Sequence, residues 1–113
     1  MQFLMLVCVD REPVAPSSPG MDVEEWVNTM DKSGVRLMGD RIQPESAATT
    51  VRVRDDEVLV TDGPFIETKE VLAGFDVLEC RDRAHAIEVA AAHPMARGGV
   101  IELRPFWDWE SAG

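Results

Sequence analysis

After Met1-Gln2 the chain runs through seven apolar residues, Phe3-Leu4-Met5-Leu6-Val7-Cys8-Val9, without alternation. A run of that length predicts a central strand covered on both faces. Arg11 to Gly20 carries Pro13, Pro16 and Pro19 and reads as a loop. Val23, Trp26, Val27 and Met30 then recur at helical spacing, behind a capping-box-like Asp22 and Glu25 and ahead of a stop at Gly34. Val35 to Gly39 is a short strand. Thr49 to Arg54 and Glu57 to Thr61 alternate around Asp55-Asp56, which predicts a hairpin with one wet face. Leu72 to Cys80 is a further strand. Asp82 opens a second helix with an apolar stripe at Ala84, Ile87, Ala90 and Ala91, and Pro94 ends it. Gly99 to Arg104 is the last strand.

The order is β-α-β, an inserted hairpin, then β-α-β, over a single domain spanning residues 1–113. Two helices cover one face of an antiparallel sheet. The other face needs a cover too, and in so short a chain a second copy supplies it. The expected architecture is an α+β ferredoxin-like sandwich, dimerised sheet to sheet. The aromatic tail, Phe106-Trp107-Asp108-Trp109-Glu110, is expected to pack, across such a dimer, rather than hang free.

Strand parity narrows the candidate chemistry. Ile101 and Leu103 share one face of the last strand, whereas Val100, Glu102 and Arg104 share the other. In the Leu72–Cys80 strand Phe75 and Val77 oppose Gly74, Asp76, Leu78 and Cys80. With Phe75 and Val77 placed toward the helices, Asp76 falls beside Glu102 and Arg104. A covered Asp, Glu and Arg would form a polar pocket with shifted pKa values; a structural ion pair or a wet strand end is the alternative.

Charge then removes whole classes of function. There are 11 Lys and Arg against 21 Asp and Glu in 113 residues, a formal net charge of −10. A nucleic-acid surface needs a basic stripe, and anionic lipid likewise repels this chain. The apolar opening is too short to span a membrane and lacks a basic leader, so a soluble cytoplasmic protein is expected. Cys8 and Cys80 lie in apolar runs and outside any CxxC, which suits free thiols in a reducing compartment. No metal is expected: zinc spacing is missing, and Asp55-Asp56-Glu57 reads as a charged hairpin tip. No cofactor motif is present.

The segment Thr61-Asp62-Gly63-Pro64-Phe65-Ile66-Glu67-Thr68-Lys69-Glu70 resembles the DGPF-motif branch of the YCII-related family. The likeness extends to the apolar first strand, Gln43-Pro44, Ala48-Thr49-Thr50-Val51-Arg52, Gly74-Phe75, and Gly99 with Glu102-Leu103-Arg104-Pro105. It implies a dimeric α+β barrel of ferredoxin-like subunits and leaves the reaction open, since most members have none assigned. Some relatives carry a His–Asp pair proposed as an active site, and one branch resembles a dehydrochlorinating lyase. This chain departs from that pattern. Its histidines, His85 and His93, both fall in the second helix, as a solvated early residue and a last-turn residue suited to the dipole. A His–Asp mechanism is therefore not carried over.

Asp62-Gly63-Pro64 is sufficient as a tight turn. Glu67-Thr68-Lys69-Glu70 carries more charge than a turn needs. Asp62, Glu67 and Lys69 are accordingly the candidate catalytic residues, Glu67 or Asp62 as the base and Lys69 as the anion anchor. Phe65, Glu70, Asp76, Glu102 and Arg104 are the candidate ligand contacts, with Arg104 as an alternative anion anchor. Three functions fit these residues: simple acid–base chemistry on a small molecule in a cleft at the dimer interface, ligand binding without turnover, or a purely structural dimer.

Overall fold

The computed structural model describes residues 1–12, 20–65 and 70–108. Within them the elements are β1 (Gln2–Asp10), α1 (Val23–Lys32), β2 (Arg36–Arg41), a 3-10 turn at Glu45–Ala47, β3 (Thr49–Arg54), β4 (Glu57–Asp62), β5 (Glu70–Glu79), α2 (Arg83–Ala91), α3 (Met95–Gly98) and β6 (Val100–Pro105). Four strands form an antiparallel sheet in the order β2-β5-β1-β6, while among the described residues β3 and β4 pair only with each other. With the hairpin set aside, this is the ferredoxin-like order, and the fold is α+β as expected. β1 lies in the middle of the sheet, between β5 and β6.

One face of the sheet is packed. Phe3, Met5 and Val7 of β1 meet Leu78, Trp26, Val35, Ala86, Val89 and Ala90 in a single core, with Ile101 and Leu103 against it. Trp26, Met5 and Leu78 are fully buried. The Trp26 indole also has its polar atom satisfied, since Nε1 donates to the Val89 carbonyl at 2.9 Å and ties α1 to α2. The opposite face carries Leu4, Leu6, Cys8, Phe75 and Val77, all half-buried, and a Met38 that is 56% exposed.

α1 starts at Asp22 as expected from the sequence, but the Asp22 side chain makes no capping hydrogen bond. Its end is a full Schellman motif. Val35 N–H reaches the Met30 carbonyl, Gly34 N–H reaches Asp31, and Gly34 takes φ +75°. α2 is capped by Asp82, whose carboxylate accepts from His85 N–H at 2.8 Å. Its buried face corrects the sequence reading. Ala86, Val89 and Ala90 point inward, whereas Ala84, Ile87 and Ala91 are exposed. Alanine is too small to betray which way a helix faces, and Trp26 needs the Val89 side.

α2 ends at Ala91, ahead of Pro94, which instead heads the short α3. The hairpin turns on Asp55 and Asp56, both in the left-handed region (φ 52° and 63°), the backbone of a two-residue type I′ loop. Its register pairs Val51 with Val60 and Val53 with Val58.

Candidate functional site

The largest apolar hollow lies on the packed side, between α1 and the β1, β2 and β5 strands. It measures about 770 Å³. Val7, Trp26, Val27 and Met95 line its apolar wall, and Arg36, Asp76 and His93 its polar one.

Asp76 reaches this wall because β5 turns Gly74, Asp76 and Leu78 inward, the reverse of the placement expected from strand parity. The pairing of residues by parity holds; the choice of face does not. Phe75 and Val77 have the greater bulk, yet Leu78 and Cys80 are buried on the Asp76 side. The burial of a carboxylate there is compensated by an arginine. Arg36 on the neighbouring strand donates from Nε to Asp76 Oδ1 at 2.7 Å, and from Nη1 to Asp31 at 3.1 Å. Close approach of the pair requires Gly39, where a Cβ would lie 2.2 Å from Asp76 Oδ1. Burial holds the Asp76 carboxyl above the usual carboxylate range, with the Arg36 bond pulling it back.

His93 faces the same hollow. It is 4% exposed, and its ring meets the Trp26 indole edge-on with centroids 4.7 Å apart. Nδ1 accepts from Met95 N–H at 3.0 Å, so the neutral ring carries its proton on Nε2. Burial lowers its pKa, which keeps it neutral. This replaces the expected role of a charged residue at a helix end: α2 stops at Ala91, and the turn that follows folds His93 into the core. His85 does sit in the first turn of α2, where its Nδ1 accepts from Arg81 N–H.

The other candidate residues lie elsewhere. Glu102 and Arg104 occupy the open face and bond each other, Arg104 Nε to Glu102 Oε2, at 2.7 Å. They do not converge with Asp76, because alternation puts Ile101 and Leu103, not them, against the helices. Glu70 shares the open face with them. It and Glu102 both raise the Cys8 thiol, after the larger effect of burial. Asp62 ends β4, exposed, and Gly63 follows with φ 100°. Thr50 Oγ1 donates to the Gly63 carbonyl at 2.8 Å, which fastens the turn to β3.

Phe65 is 68% exposed with the Arg52 guanidinium 5.0 Å above its ring. It plugs no core. Glu67 and Lys69 lie outside the described residues, as does Trp109 of the tail, whose Trp107 is 78% exposed.

A second hollow, about 560 Å³, gathers Pro64 and Glu70 with Gln43, Pro44, Glu45 and Ala48. Glu45 is bound by Arg11 through both carboxylate oxygens, which lowers its pKa. Several motif residues noted in the sequence thus meet around one depression. Among the described residues, no group of three or more His, Cys, Asp or Glu could hold a metal ion.

Sequence reasoning missed Arg36, Gly39 and the inward His93. One signal for the first was present. An Asp flanked by Phe75 and Val77 in an apolar strand demands a cationic partner one strand away.

No described helix is long and apolar enough to cross a membrane. Comparison with known proteins adds a relative, an uncharacterised protein from Rhizobium meliloti (strain 1021), 41% identical over 69 residues. That match covers 58% of this chain and 54% of the relative, so the chain spans about half the length of the curated relative it matches. The family model described as the YCII-related domain matches residues 3–110. The chain belongs to the YCII-related family.

Proposed function

We propose that this protein is a cytoplasmic homodimer that binds a small neutral organic molecule in the hollow between α1 and the sheet. The observation that carries the reading is the composition of that hollow: an apolar cavity of about 770 Å³ with a few fixed polar groups on its wall. The lining holds Arg36 and Arg41 against Asp22, Asp40 and Asp76, so it disfavours an anion. Trp26 is itself fully buried and backs the wall, and a flat ring with a hydrogen-bond acceptor suits the His93 imidazole, whose proton is on Nε2. Free Cys8 and Cys80 fit a reducing compartment. The half-buried open face of the sheet fits a second copy of the chain, and the acidic balance opposes nucleic acid and anionic membrane as partners.

Binding without turnover is the better supported form. Asp76 is already held by Arg36, and His93 Nδ1 by Met95 N–H. Acid–base chemistry is the second reading, favoured by the raised Asp76 carboxyl, which brings a proton acceptor nearer to neutral pH. In that reading the chemistry belongs to Asp76 in the hollow. The other placement, with Asp62, Glu67 and Lys69 and the ligand contacts Phe65, Glu70, Glu102 and Arg104 at the dimer interface, draws no support from Asp76, which lies on the packed face of the sheet.

The test is native mass spectrometry of the purified protein together with thermal melting against a panel of neutral monocyclic aromatics. A co-purified ligand or a saturable melting shift is expected, and Val27→Phe, which fills the hollow, should remove it while leaving the unliganded melting point in place. No shift across the panel with nothing co-purified, or equal binding by Val27→Phe, refutes the hollow as the site.

A further inference from the structure

The β3–β4 hairpin poses a physical problem that the four-stranded sheet does not. It pairs with no other described strand. One of its faces is made of cross-strand partners Val51 with Val60 and Val53 with Val58. Each of these four valines is between 56% and 63% exposed. A lone two-stranded hairpin is marginal in water, and four valines left wet on one face, with Thr49 and Asp62 at its open end, add to its cost.

From this geometry we infer that the hairpin is a docking arm whose valine face seats on the open sheet face of a second copy. The inference rests on the homodimer proposed above and specifies which surfaces meet. Area is the first argument. Four strands about 4.8 Å apart, over six residues of about 3.3 Å each, present a face of roughly 400 Å². A standard interface buries about 800 Å² per partner, so sheet stacking alone falls short. The arm adds roughly 200 Å² of flat apolar surface and closes much of the difference. Shape is the second argument. The chain extends 47 × 45 × 19 Å, a plate with helices on one side only, and a two-fold stack of two plates restores a covered sheet.

Chemistry is the third. The two central strands of the open face carry Leu4, Leu6, Phe75 and Val77, with Met38 beside them on the edge strand β2, and the four valines of the arm need an uncharged counterpart of that kind. A two-fold axis uses each surface twice, arm on face and face on arm.

Sedimentation velocity over a dilution series, with wild type and Val58→Glu/Val60→Glu, tests this. Wild type is expected to be a dimer, and the variant a folded monomer by circular dichroism, with the dissociation constant raised roughly 100-fold or more. A wild-type monomer at 100-fold dilution above and below the working range overturns both the dimer and the arm. A variant that dimerises like wild type leaves the dimer standing and overturns the arm. So does a variant whose folded monomer is destabilised with no change in the dissociation constant, which would mean the valines are covered by their own chain. Amide exchange of wild type gives the answer independently of the variant's folding. Arm amides of β4 should be protected in the dimer and lose protection on dilution; equal, fast exchange in both states refutes docking.

Discussion

Two arginine–carboxylate pairs with the same contact distance lie on opposite faces of one sheet. Arg36 Nε meets Asp76 at 2.7 Å with side chains 16% and 9% exposed, and Arg104 Nε meets Glu102 at 2.7 Å with side chains 71% and 47% exposed. Distance is identical; surroundings are not. In the first pair water has been removed, so each charge depends on the other, and Asp31 holds Arg36 as well. In the second both groups remain hydrated, and the bond replaces water at little net gain. A contact list alone would rank them equal.

The largest expected effect separates the two pairs. Arg36→Met strands the Asp76 carboxylate in the core and should cost on the order of 3–5 kcal/mol in urea unfolding. The loss should be greatest near neutral pH and shrink as pH falls through the raised Asp76 pKa, where the carboxyl takes up a proton and no longer needs a cation. A loss independent of pH would mean that Arg36 acts by packing alone.

The next effect is a pH slope from the same polar wall. The His93 pKa is lowered by burial, so between it and the ordinary histidine value of about 6.5 the unfolded chain binds the extra proton. Stability is therefore complete above that value and declines as pH falls through the window, by at most about 1.4 kcal/mol per pH unit for one proton. Melting of wild type and His93→Phe between pH 8 and pH 5 reads it: the variant should lose that part of the slope.

Smallest is Arg104→Ala, which should change the stability of the dilute monomer by less than about 1 kcal/mol. A larger effect that appears only at concentrations where the protein self-associates would place Arg104 in an interface.

Much of the fold was legible because it follows from local pattern. The apolar run at Phe3–Val9, the turn at Asp55-Asp56 and the stop at Gly34 each dictate backbone without help from distant residues. The faces were harder. In β5, parity groups Asp76 with Leu78, but only the position of Arg36 on β2 and the missing side chain at Gly39 decide that this group turns inward. α2 defeats periodicity for a different reason, since a helix of alanines has nearly the same hydrophobicity on every side, and the Trp26–Val89 bond orients it. His93 was misread because its burial depends on a turn after α2 that Pro94 does not announce. The candidate site suffered most, since its residues come from α1, β2, β5 and the α2–α3 turn, brought together by topology rather than by spacing.

Cys8 and Cys80 sit on opposite sides of the same sheet, one on the open face and one in the core. They cannot reach each other through a folded chain. The molecule thereby carries one native chemical label for each of its two surfaces. A small thiol reagent that modifies Cys8 slowly in concentrated solution and quickly in dilute solution reports the covering of one side, while Cys80 reacts only when the other side has come apart.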